Sequence, residues 1–139
     1  MLDEAFSRAQ VPSDMVLVVD DEESIRKVQR ALLERHGYGV LTADDGEAAL
    51  SCLGEFGARV GCVLLDLTMP GMSGKEVLAG LRAVREDIPV VLVTGYSGGE
   101  LEEQFRDLGF AGFLKKPVRR EELVATVERV MGPPPGRVR

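Results

Sequence analysis

The sequence predicts one doubly wound α/β domain, a parallel sheet of five strands with helices on both faces. Three observations carry this. Short apolar runs rich in β-branched residues alternate with stretches whose apolar residues recur at helical spacing. The first, third and fourth runs are almost continuously apolar, as strands covered on both faces must be. A chain of 139 residues, 45% hydrophobic and 29% charged, has the length and balance of one ordinary globular domain.

The elements follow in order. MVLVVDD (15–21) is a short strand ending in acids. EESIRKVQRALLERHG (22–37) is a helix with Ile25, Val28, Leu32 and Leu33 on its inner face and Gly37 as its stop. YGVLTAD (38–44) is the second strand, and GEAALSCLGEFG (46–57) a helix with Ala48, Ala49, Cys52, Leu53 and Phe56 inward. GCVLLD (61–66) is the third strand. After a break at Met69-Pro70-Gly71, GKEVLAGLRAVRED (74–87) carries Val77, Leu78, Leu81 and Val84 at helical spacing. PVVLVTG (89–95) is the fourth strand. GGELEEQFRDLG (98–109) is a helix held by little more than Leu101, Phe105 and Leu108. FAGFLKKP (110–117) is the fifth strand, and REELVATVERVM (120–131) the last helix, with Leu123, Val124, Val127 and Val130 inward. Residues 14–131 therefore form the domain, between a weakly patterned N-terminal segment (1–13) and a Pro-rich, extended C-terminal tail (132–139).

Composition narrows the function. With 17 basic and 23 acidic residues the formal charge is −6, which repels phosphate backbones and anionic bilayers, so no nucleic-acid or membrane partner is expected. No apolar run approaches a membrane span. The first residues lack the basic and apolar regions of an export signal, so a cytoplasmic location is expected. Cys52 and Cys62 have no metal-ligand spacing and read as small buried hydrophobes.

The residues that carry chemistry interrupt the strands at their carboxyl ends. Asp20 and Asp21 close the first strand, Asp66 the third, Thr94 the fourth and Lys116 the fifth. In an open α/β sheet ligands bind beyond those ends, where strand order reverses. If the order is 2-1-3-4-5, the acids, the hydroxyl and the ammonium converge in one cleft. Three crowded carboxylates repel one another, and a hard divalent cation such as Mg²⁺ relieves this through oxygen ligands. A carboxylate beside Mg²⁺ and a lysine is set up to attack phosphorus and to form an aspartyl phosphate. Thr94 would donate to a phosphoryl oxygen, and Gly95 leaves room for the group.

VVDDE (18–22), LLDLTMPGMSG (64–74), VTGYS (93–97) and FLKKP (113–117) come in the order and spacing of a known family. The chain resembles the receiver domain of two-component response regulators, the CheY-like superfamily, over about residues 15 to 131. That resemblance implies the flavodoxin-like strand order 2-1-3-4-5. It also implies a role for each residue. Asp66 takes the phosphoryl group from a phosphohistidine. Asp20 and Asp21 hold Mg²⁺ together with Asp66 and the backbone carbonyl of Thr68. Thr94 and Phe113 form the switch. Lys116, immediately before Pro117, is the site lysine, and Pro70 and Gly74 shape the loop behind Asp66. Thr68, Gly95 and Tyr96 flank the approach to the phosphate. The implied partners are a sensor histidine kinase or phosphotransfer protein and a downstream protein target, with the domain a monomer or a phosphorylation-dependent dimer. Such a domain is no enzyme beyond its own phosphorylation and dephosphorylation. The pattern fits a single-domain regulator and equally a receiver from a hybrid sensor histidine kinase.

Three rivals differ in their chemistry. An aspartate-nucleophile phosphatase of the haloacid dehalogenase type needs a second acid two residues beyond the nucleophile, where Thr68 stands. GMSGKE lacks the first glycine and the final hydroxyl of a P-loop, and GYSGG is no dinucleotide fingerprint. A pseudo-receiver that only binds partners would not need the complete set of acids, hydroxyl and lysine.

Overall fold

The computed structural model describes residues 13–66, 73–95 and 107–134. In chain order these are β1 (Met15–Val19), α1 (Glu23–Arg35), β2 (Gly39–Ala43), α2 (Gly46–Phe56), a short 3-10 turn (Gly57–Arg59), β3 (Val60–Asp66), α3 (Gly74–Val84), β4 (Val90–Thr94), β5 (Gly112–Lys115) and α4 (Arg120–Met131). The expected helix over 98–109 lies outside the described residues except for its last three, which form a turn. All strand pairs are parallel, and the order is β2-β1-β3-β4-β5. Chain direction across the sheet therefore reverses beside β1, and the crevice of such a fold opens at the carboxyl ends of β1 and β3.

Period-two alternation sends the strand side chains into two cores. Leu17, Val19, Val63, Leu65 and Val90 pack with Ala49 and Leu53 of α2 and Val77, Leu78 and Leu81 of α3. Val16, Val18, Cys62, Leu64, Val91 and Val93 pack with Leu33 of α1 and Leu123 and Val127 of α4. Every residue of β3 and β4 is buried. Burying each such Leu or Val side chain contributes about 1.5–3 kcal/mol, so the central strands are the rigid part of the molecule.

Helix starts are set locally. The Asp45 side chain accepts the Ala48 N–H and opens α2. Ser73 and Glu76 form a reciprocal capping box that opens α3. α1 ends at His36, followed by Gly37 at φ +108°, a conformation that L side chains rarely adopt. Beyond α4 the chain returns to this end of α1. The Tyr38 hydroxyl donates to the Gly132 carbonyl at 2.6 Å, and buried Pro134 lies over Gly37.

Three inward assignments are corrected. Val28 is 58% exposed, Phe56 36% and Val84 45%. In α1 the buried positions are Gln29 and Leu33, so the helix is turned away from Val28. Phe56 and Val84 are the last residues of their helices, where the periodic stripe outruns the core beneath it. Cys62 is buried as expected, whereas Cys52 is only half-buried. Burial pushes the Cys62 thiol up to about 12, and desolvation, with help from Glu55, raises that of Cys52.

Gly61 occupies an irregularity in the sheet. Met15 pairs with Val60 and Val16 with Cys62, so Gly61 is the extra residue of a bulge. A Cβ at this position would lie 2.5 Å from the Ser13 carbonyl oxygen and 2.7 Å from Met131 Cε. Gly61→Ala is therefore expected to destabilise the fold by about 1–3 kcal/mol. Urea unfolding reads this as a lower midpoint at unchanged slope, and an unchanged midpoint would show that the backbone at Ser13 yields freely.

Candidate functional site

Each strand end delivers its residue to the same edge of the sheet. Asp20 follows β1 directly, and its N–H donates to the Ala43 carbonyl, so the ladder to β2 holds it. Asp66 is the last residue of β3 and Thr94 the last of β4. Lys116 follows β5, and its N–H donates to the Thr94 carbonyl at 2.7 Å. Asp20 and Asp66 are each 2% exposed and Thr94 is 7% exposed, whereas Asp21 faces solvent.

One ammonium bridges the two buried acids. Lys116 Nζ lies 2.9 Å from Asp20 Oδ2 and 3.4 Å from Asp66 Oδ1. Burial on its own would lower the Lys116 pKa. The hydrogen bond that the ammonium donates to Asp20 and the charge of Asp66 outweigh it, so the ammonium titrates above its ordinary value. Lys115, one residue earlier, is exposed, as alternation along the strand requires. Asp20 has a second task, because its Oδ1 accepts the Glu22 N–H at 2.9 Å at the entry to α1. Its backbone carbonyl accepts from Arg26 Nη1 at 2.8 Å. Asp20 is thus held at its carboxylate by Lys116 and the Glu22 N–H and at its backbone by Arg26.

Asp20, Asp21 and Asp66 each offer a carboxylate oxygen, and the three oxygens lie within 4.8 Å of one another. Hard anionic donors at this separation suit a hard divalent cation, and the excess of negative over positive charge favours one. Beside Gly95 a side-chain methyl would meet no described residue within 4 Å. Phe113 in β5 is half-buried and meets the Phe110 ring, with centroids 5.9 Å apart and planes at 55°. Thr68, Pro70 and Tyr96 lie outside the described residues. The arrangement combines a buried carboxylate at the end of a buried strand, an ammonium against it, a hydroxyl at the end of the next strand and oxygen donors that suit a cation. Such a set can hold an anionic group beside a cation.

A parallel sheet with this strand order defines a class, the flavodoxin-like doubly wound α/β domain, here with an acidic cluster at the carboxyl edge. Residues 16–128 match the response regulator receiver domain, and the chain belongs to that family. It is 34% identical over 113 residues to the transcriptional regulatory protein FixJ of Bradyrhizobium diazoefficiens, covering 81% of this chain and 54% of that protein. It is 38% identical over 116 residues to the sensory transduction protein RegX3 of Mycobacterium tuberculosis, covering 84% and 50%. It is 34% identical over 119 residues to the sensor kinase CckA of Brucella abortus, covering 86% and 13%. The chain thus spans about half the length, or less, of these relatives. Among solved structures, the chemotaxis protein CheY4 of Vibrio cholerae superposes with a TM-score of 0.76 at 34% identity, covering 84% of this chain and 97% of that one.

Sequence reading missed the support around the acids. Arg26 looks like one more exposed helix charge, and nothing in its spacing marks it as a clamp on Asp20. Phe110 reads as the first residue of the fifth strand, whereas β5 begins at Gly112 and Phe110 packs on Phe113 from outside it. His36 Nε2 lies 2.6 Å from Glu128 Oε1 across 92 residues of sequence, a contact that no local pattern marks.

Proposed function

We propose that this domain accepts a phosphoryl group on Asp66 from the phosphohistidine of a sensor histidine kinase or phosphotransfer protein, and that the modification switches a partner-binding face. The observation that carries this is the Lys116 ammonium seated between two almost wholly buried carboxylates at the strand ends. Asp20, Asp21 and Asp66 would hold Mg²⁺, with the Thr68 carbonyl as the further ligand that family resemblance supplies. When bound, the cation neutralises phosphoryl oxygens.

The chain's own residues do the rest. An Asp66 oxygen attacks phosphorus, the O–P bond forms, and the N–P bond breaks with its electron pair returning to the imidazole, which takes up a proton. Lys116 stabilises charge on the phosphoryl oxygens and Thr94 donates to one of them. Phe113 responds on the β5 side, and the face next to it meets the output partner. The receiver proper is residues 14–131, flanked by 1–13 and 132–139. Among the described residues no helix is long and apolar enough to cross a membrane. The resemblance to receivers that meet a kinase's phosphohistidine implies a cytoplasmic location. Its setting is either a regulator or the receiver of a hybrid kinase, acting as a monomer or as a dimer formed on phosphorylation.

Incubation with a small acyl phosphate and Mg²⁺ should add one phosphoryl group, read by intact mass, and a chelator should abolish the addition. Full uptake in the chelator would sink the metal-dependent reading.

The phosphate should also be long-lived. Its hydrolysis needs water in line with the P–O bond, opposite the Asp66 oxygen. By family resemblance Thr68 and Tyr96 flank that approach. A Tyr96 ring placed as that resemblance implies would obstruct water, and Thr68 has no carboxylate or amide to position it. Tyr96→Ala should therefore release phosphate faster after loading and donor removal, by about tenfold if the ring is worth about 1.4 kcal/mol. An unchanged rate would show that Tyr96 does not shield the phosphate.

A further inference from the structure

Arg82 stands in the last turn of α3 and reaches across to the segment that leads into β5. One guanidinium nitrogen donates to the Leu108 carbonyl and the other to the Gly109 carbonyl at 2.7 Å. A planar fork on two successive carbonyls fixes the direction of the chain at that point more firmly than one hydrogen bond does. Leu108 and Phe110 are themselves packed, partly buried, against the α2–α3 core. The Phe110 ring meets Phe113, and Phe113 pairs with Leu92 within the sheet. Contacts therefore run without a break from α3 through Leu108, Gly109 and Phe110 to Phe113.

We propose that Arg82 is a positioning residue for the switch: by holding the Leu108 and Gly109 carbonyls it keeps Phe110 against Phe113 and favours the resting arrangement. A rearrangement of Phe113 must either break its contact with Phe110 or carry Phe110 along. Arg82 opposes the second course, and the aromatic contact opposes the first. Weakening either raises the fraction of unmodified protein in the responsive state, and a ligand of that state then binds more tightly by the same factor. This rests on Asp66 being the phosphoryl acceptor.

The test is titration of the full chain with beryllium fluoride in Mg²⁺, followed by ¹⁹F NMR of fluorophenylalanine-labelled protein. The Phe113 signal is assigned with Phe113→Leu. Arg82→Gln and Phe110→Leu should each lower the beryllium fluoride concentration for half conversion by about three- to tenfold, the range expected from an aromatic contact. Their combination should do no more than either alone, because both act on one contact. Arg82→Lys, which keeps the charge but not the fork, should fall between parent and Arg82→Gln. A merely structural role would lower the melting temperature of Arg82→Gln and leave its midpoint at the parent value, which overturns the inference. If the parent itself shows no response, the reading of Asp66 fails and takes this inference with it. If the parent responds and Arg82→Gln matches it, this inference alone fails.

Discussion

Asp66→Asn should take up no phosphoryl group from an acyl phosphate under conditions that load the parent fully. The amide has nearly the shape of the carboxylate, so the end of β3 keeps its packing. What changes is the chemistry. A neutral amide is no nucleophile toward phosphorus, and it offers a divalent cation a weaker oxygen than a carboxylate does. The variant should nevertheless be well folded, because a neutral group costs less to bury than a charge at a position 2% exposed. Loss of uptake with a melting temperature at or above that of the parent is therefore the expected pair of results. Uptake persisting in Asp66→Asn would place the acceptor elsewhere. Asp21 is the next carboxylate to examine, because it faces solvent beside the buried pair.

Asp66 was legible because a polar residue closing a continuously apolar strand breaks a strong local pattern. The same holds for Asp20 and Thr94, and those interruptions locate the edge of the sheet once the strand order is given. The strands themselves were legible for the same reason, since VLLD and VVLVT have no helical alternative of comparable length. Helix faces were read less well. Periodicity assigns a stripe about a third of the circumference wide, and neighbouring elements decide which edge of it is covered. In α1 the covered edge is the one with Gln29, and Val28 is left in water. Contacts distant in sequence left no local trace. Arg82 reaches a carbonyl 26 residues away and Arg26 reaches back over Asp20, and neither spacing means anything until the fold brings the elements together.

Lys116→Met should make the protein markedly less stable without metal, by about 3–5 kcal/mol, the usual result of removing one member of a buried ion pair. Methionine keeps the length and apolar stem of the side chain, so lost packing contributes little. The loss comes from Asp20 and Asp66, which lie 2.9 and 3.4 Å from the ammonium and have almost no water to replace it. Mg²⁺ should restore much of the stability, because a cation held by the same carboxylates does the same electrostatic work. Phosphoryl uptake should still fall by about a hundredfold or more, since the fixed positive charge facing the phosphoryl oxygens is gone. Alkaline pH offers an independent check. The pKa of Lys116 is raised above 10.5 in the folded protein, so its contribution is complete below pH 10.5 and is lost as pH rises through the folded value. The stability gap between parent and Lys116→Met, measured in chelator by urea unfolding, should be constant up to pH 10.5 and narrow above it. A gap that is absent at neutral pH would show that the two acids need no counter-charge, and the electrostatic account of the site would fall with it.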